Sequence, residues 1–300
     1  IKPSLVESKG GPLNPVPIDV YGLTVLENGD AFLVVEFQAS HPLIVRVDKT
    51  GKQVLTKKIT ESARQIWISK IIPTADGKFL LIGHESLDAL AMKIDALGNI
   101  LWEKKEDRRQ MELFVDGIVS KDGGFILVGN SGKYDLLHRG PSEVWVGKYD
   151  SEGERKLEKN FIGRYGSLAQ SSDNRYTIVY DKGTSDSQDI WVESFSHNLE
   201  KLWESQILTV KRGFSNFKIT ALPNSSFIIA GDKEGKAYVV KISASGSNVW
   251  TFLEETIDRA SSNYGLISLN SEVLIASSTY VPKDPKDIQQ KIRVIKFAGN

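Results

Sequence analysis

Not one of the 300 residues is a cysteine, so disulfides, thiolate nucleophiles and cysteine-ligated zinc are excluded at the outset. Neither sign of charge is in excess: 38 Lys and Arg stand against 38 Asp and Glu, for a formal charge of zero. That balance supplies no basic surplus to attract nucleic acid and implies no polyanionic face. Long apolar runs are missing too. Runs such as Phe79 to Ile82 and Phe227 to Ala230 are far shorter than the roughly 20 residues of a membrane-crossing helix. Histidines are few (His41, His84, His138 and His197), and no His-x-x-x-His or Glu-x-x-His spacing joins them into a metal site. There is no Gly-x-Ser-x-Gly elbow for nucleophilic hydrolysis.

What the chain has in quantity is a repeat. Aligned on an Asn or Asp that opens a turn, six anchors appear at Asn28, Asp76, Asp122, Asp173, Asn224 and Asn270, spaced 46 to 51 residues apart. A fixed period in that range marks a repeat architecture. Each anchor is followed by an apolar strand (AFLVV, FLLIG, FILVG, YTIVY, FIIAG, VLIAS), and Asn, Asp and Gly suit the tips of hairpins. A second signature follows in register, a strand ending basic–apolar–Asp or Ser: VRVD, MKID, GKYD, ESFS, VKIS and IKFA. Gly51, Gly98, Gly153 and Gly246 lie three residues beyond it, with Leu199 breaking the rule. Next comes a large apolar residue in a charged strand, Leu55, Trp102, Leu157, Trp203 and Trp250.

Each unit therefore reads as four antiparallel strands, A to D. The expected fold is all-β, a six-bladed β-propeller in one domain over 1–300, because four short strands per period of about 50 residues build blades around a channel. The blades are placed at about 18–60, 64–106, 112–161, 165–208, 214–255 and 261–300. The last unit ends before its D strand, so residues 3–9 are expected to complete it and remove an open sheet edge.

The series DGGFILVG, VGKYDSEG and NILWEK resembles the propeller repeats of secreted and lipoprotein-type bacterial proteins. The turns DKTGKQVL and DALGNILW resemble the tryptophan-docking repeat of quinoprotein propellers, in which the Trp packs between blades. The absence of Cys and the Ile1 start accord with removal of a leader. Pro3, Pro12, Pro15 and Pro17 accord with an arm from an anchor, so a periplasmic or secreted location is expected, with room for a lipid anchor before Ile1. A monomer is expected.

In such a blade the A–B and C–D tips share one face, and the irregular B–C and D–A connections share the other, where binding should concentrate. The D–A connections carry Arg64, Arg109, Arg164, Arg212 and Arg259, nine to thirteen residues before their anchors, with Val16 in the first blade. Turned to the channel mouth, they form a guanidinium ring suited to carboxylate, phosphate or sulfate. Alternatively each is solvated or bonds a carbonyl or a rim carboxylate. Two long B–C loops, Gly132 to Pro141 and Tyr280 to Gln290, are further candidates; Tyr134, His138 and Arg139 bring the mixture favoured at interface hot spots.

Rim acids Asp88, Asp186, Asp232, Glu234, Asp284 and Asp287 are read as solvated charges with Ca2+ as the alternative. Lys70, Asp116 and Lys218 form a column six residues before their anchors and are expected to pair between blades. The strand C base (Arg46, Lys93, Lys148, Lys241, Lys296) is expected to keep its charge in water. The function expected is non-catalytic, with no cofactor: a binding propeller holding a protein or an anionic small ligand, in the manner of an inhibitor, immunity protein or scaffold. The alternative is a hydrolase or lyase acting on an anionic saccharide or ester.

Overall fold

Each C–D hairpin tip among the described residues closes on its own side chain. At the C–D turns Asp48 Oδ1 accepts from Thr50 N (2.9 Å) and Lys52 N (3.1 Å), and Asp95 Oδ1 accepts from Leu97 N (2.9 Å) and Asn99 N (2.8 Å). Ser196 and Ser243 do the same through Oγ, which explains why the repeat accepts Asp or Ser there. In a computed structural model these turns link 23 strands among the described residues, which are 20–37, 41–60, 64–132, 142–183, 187–211, 217–234, 236–253, 264–269, 272–284 and 287–298.

The first sheet holds β1 (Val20–Val25), β2 (Ala31–Phe37), β3 (His41–Val47) and β4 (Gln53–Lys58). The second holds β5 (Ile66–Pro73), β6 (Phe79–Glu85), β7 (Asp88–Ile94) and β8 (Ile100–Glu106). The third is β9 (Met111–Val119), β10 (Phe125–Gly132), β11 (Ser142–Tyr149) and β12 (Arg155–Ile162). The fourth is β13 (Arg164–Gln170), β14 (Tyr176–Asp181), β15 (Ser187–Phe195) and β16 (Lys201–Lys211). The fifth is β17 (Lys218–Ala221), β18 (Phe227–Lys233), β19 (Lys236–Ile242) and β20 (Asn248–Leu253). The last is β21 (Tyr264–Leu269), β22 (Glu272–Asp284) and β23 (Asp287–Ala298).

All pairings are antiparallel meanders in chain order, and the first strand of each sheet lies against the first strand of the next. That is the construction of a β-propeller. Five sheets are complete four-stranded blades, not the six expected; the last sheet has three strands. The segment expected to complete it, residues 3–9, lies outside the described residues. The second long B–C loop is also corrected: the β22–β23 ladder continues through Tyr280↔Gln290, Val281↔Gln289 and Pro282↔Ile288, so this stretch is hairpin rather than loop.

The apolar core is a series of seams between successive sheets. Phe32, Val34 and Ile44 of the first sheet pack on Ile66, Ile68 and Phe79 of the second, and equivalent seams follow down the chain. The strand D tryptophans seal them from outside. Trp102 lies over Gly153 of the following blade, where a Cβ would come within 2.9 Å of the indole. Trp203 lies over Gly246 and donates from Nε1 to Ala244 O at 3.0 Å. Glycine is needed there for its positive φ and for the indole above it.

Leu199 takes the same turn position at φ 61, and its side chain is buried beside Tyr180 and Phe195. Leu199→Gly relieves about 1 kcal/mol of backbone strain but forfeits about 2–3 kcal/mol of apolar burial. Chemical denaturation should therefore show a net loss of about 1–2 kcal/mol. A gain in stability would show that the turn, rather than the packing, selects this residue.

Candidate binding face

Two of the three described D–A arginines, Arg64 and Arg164, are drawn into ion pairs within their own blades. Arg64 forks onto Glu85 at the end of β6 and reaches Glu103 on β8 at 2.9 Å. Lys105 joins Glu85 at 2.8 Å. With Arg64 bonded to it first of all, the Glu85 carboxyl falls to about 2, below the usual range. Arg164 stands 3.3 Å from Asp181, a carboxylate that burial pushes upward despite the bonds it accepts. Arg109 is different: its backbone has φ 65, its N–H bonds Asp107 Oδ1 at 2.8 Å, and its side chain is exposed. Its neighbour Arg108 is the one held, over the Trp145 ring at 4.2 Å and against Glu158 at 2.5 Å. Arg212, Arg259, Tyr134, His138 and Arg139 lie outside the described residues.

The strand C bases depart from expectation in the same way. Arg46 binds Asp30, Lys93 reaches Asp76 at 3.2 Å and Lys148 reaches Asp122 at 2.8 Å. Lys93 and Lys241 are buried, not extended into water. The reason is register: this base lies two residues before the C–D turn, beside the A–B tip on the same face, whose carboxylates attract it.

In the channel-side column Lys70 and Asp116 pair as expected, while Lys218 acts on Asp116 through its charge alone. In the first four sheets the opening strand has an irregular step just before this position, at Val20/Gly22, Ile68/Lys70, Val128/Gly129 (opposite Phe114 and Asp116) and Arg164/Ser167. An extra residue there re-aims the following side chain. Lys70 Nζ lies 2.5 Å from Asp116 Oδ1; Asp116 Oδ2 accepts from Ser167 Oγ (2.8 Å) and Leu168 N (2.9 Å). Three blades are joined by one carboxylate.

On the outer face, the second and third blades meet at a group of acids that periodicity alone does not collect. Asp88 opens β7, Asp107 sits in the connection after β8, and Glu112 is the second residue of β9. One carboxylate oxygen from each lies within 4.8 Å of the others. Glu112 N donates to Leu87 O at 2.7 Å, binding the two connections together. Burial, then the charges of Asp107 and Asp88, push the Glu112 carboxyl above its usual range. The signal in the sequence was a second acid, Glu112, beside Asp116 in the largely apolar strand that holds Phe114; the side chains of Glu112 and Phe114 are buried. In the second blade His84 stacks on Trp67 at 4.7 Å and burial lowers its basicity, while in the fourth blade Lys182 lies 4.0 Å over Trp191. His197 is exposed on a C–D turn, the opposite face.

No protein-family model and no curated protein matches the sequence. Solved structures do match in fold. A protein of unknown function from Bacteroides caccae superposes with a TM-score of 0.55 at 15% identity, covering 89% of this chain and 90% of its own. The PQQ-bound aldose sugar dehydrogenase from Streptomyces coelicolor gives 0.54 at 12% identity, with 93% and 94% covered. The WD40 domain of Toxoplasma gondii coronin gives 0.56 at 10%, with 89% and 68% covered. Enzymes and non-enzymes share this architecture, so likeness at such identities establishes the propeller fold alone. No helix among the described residues is long and apolar enough to cross a membrane.

Proposed function

We propose that this chain is a non-catalytic binding propeller, working outside the cytoplasm, whose B–C and D–A face holds a protein partner or an anionic ligand. The observation that carries it is the inequality of the two faces. Tips on one face are closed by their own Asp, Asn and Ser groups. The other face leaves the Arg109 side chain open, with Leu87 52% and Ile162 79% exposed and Trp67 and Trp191 half-buried. Arginine, aromatics and aliphatics together are the composition of interface hot spots.

The three-stranded sheet is read as a sixth blade that closes the ring on the first. Supporting this is the apolar outer side of the first sheet, where Leu23↔Leu33↔Val45 and Val25↔Ala31↔Val47 form rows and Leu23 and Val25 are 59% and 63% exposed. Such a face calls for a cover.

The test compares cross-linked captures from the native source by wild type, a face variant (Leu87→Asp, Arg109→Glu, Arg139→Glu) and a control with the opposite tips changed (Lys52→Glu, Glu152→Lys). A partner held by wild type and control, and lost about tenfold (~1.4 kcal/mol) by the face variant, is the expected result. Equal capture by all three rejects the reading. The second reading, a hydrolase or lyase acting on an anionic saccharide or ester, draws on the raised Glu112 carboxyl beside two further acids. It requires turnover that Glu112→Gln abolishes.

A further inference from the structure

We propose that Asp88, Asp107 and Glu112 form a divalent-cation site of the Ca2+ class, at the junction of the second and third blades. The three reach it from separate places in the chain: a B–C turn, a D–A connection and the start of a strand A. Ca2+ bonds its oxygens at about 2.3–2.6 Å, so two oxygens on one ion stand at most about 5 Å apart. The mutual 4.8 Å limit met by these three carboxylates satisfies that condition.

A second observation points the same way. Glu112 is fully buried (0% exposed), and while its Oε1 accepts from Gln110 N at 2.8 Å, its Oε2 has no hydrogen-bond partner. Among the described residues no Lys or Arg forms an ion pair with any of the three acids; the nearby Arg108 and Lys105 are committed to Glu158 and Glu85. A buried carboxylate that has one oxygen without a donor, grouped with two more carboxylates, is costly unless a cation completes it.

The donor set selects the ion. It is all oxygen, with no His or Cys, which disfavours zinc and copper. The ligands come from two irregular connections and a strand start and include one exposed, one half-buried and one buried acid, an asymmetric arrangement. Ca2+, with six to eight flexible positions completed by water, tolerates that better than Mg2+, which demands near-ideal octahedral geometry. Because the Leu87–Glu112 hydrogen bond already straps the two connections, the bound ion would fasten one blade to the next.

The experiment uses the full chain, stripped with EDTA and titrated with CaCl2 by calorimetry and by thermal melting, with NaCl at matched ionic strength as the screening control. Wild type should bind one Ca2+ and gain about 5 °C at a hundredfold excess over Kd. Glu112→Gln and Asp88→Asn should each lose binding at least tenfold. Without Ca2+, Glu112→Gln should melt at or above wild type, since it removes a repelled buried charge. Asp88 is half-buried, so Asp88→Asn provides the folded variant if Glu112→Gln is lost to misfolding. The proposal is overturned if wild type shows no heat and no Ca2+-specific shift up to 10-mM-range additions (~10 mM, far above the weakest sites). It is equally overturned if both variants respond as wild type does.

Discussion

Asp116→Ala should lower the unfolding free energy by about 3 kcal/mol, measured by urea denaturation at neutral pH. The carboxylate accepts from Lys70, from Ser167 and Leu168 across the next seam, and from Gly117 N at 2.8 Å within its own strand. Removing it leaves a buried N–H and hydroxyl without acceptors and a lysine without its counter-charge. Lys70 remains 40% exposed, so water recovers part of its loss and the figure falls at the lower end of the 3–5 kcal/mol range for broken buried pairs.

Asp116→Asn keeps the shape and loses the charge, and should cost less, about 1–2 kcal/mol. It also tests the pH dependence. Burial would raise the Asp116 carboxyl, but Lys70 and Lys218 outweigh it and hold it at about 2. In the unfolded chain an aspartate titrates near ~3.9. A lowered folded value means the contribution is present above pH ~4 and lost as pH falls toward about 2. The difference in stability between wild type and Asp116→Asn should therefore shrink over that window. A difference that stays constant from pH 5 to pH ~2 would show that packing rather than charge holds the column.

Trp145→Ala should cost about 3–5 kcal/mol, the range for emptying a core aromatic. The ring is 0% exposed, meets Phe114 edge-on at 5.7 Å and carries Arg108 at 4.2 Å. Its cross-strand partner is Gly129, where a Cβ would fall 2.0 Å from the indole. Gly129→Ala should therefore expel the ring and cost about 3 kcal/mol or more through overpacking. In the double variant the new methyl enters the space the indole has left, so the combined loss should be smaller than the sum. Additive losses would mean that glycine and indole do not share that space. Since Arg108 lies between Trp145 and Glu158 and adjoins Asp107, Trp145→Ala should also weaken Ca2+ binding without touching a ligand.

The candidate face was only partly legible beforehand. Arg64 and Arg164 are recognisable as a repeated column, but the acids that neutralise them, Glu85, Glu103 and Asp181, sit 17 to 39 residues away, on strands that only the folded ladders bring near. The strand C lysines looked like solvated charges because alternation says nothing of the neighbouring hairpin tip. Asp88 stood among the rim acids, whereas Asp107 and Glu112 did not, since their convergence depends on how one blade follows another.

Strand order, turn positions and the use of Gly at the C–D tips follow from the sequence alone, because alternation and turn chemistry act over a few residues and recur six times. Which charges meet was decided by the tertiary structure. A one-residue step in a strand such as β9 re-aims a carboxylate, and contacts across a seam depend on the stagger between sheets. Local patterns carry neither quantity, so the partners of Asp116 and Glu112 appear only once the blades are stacked.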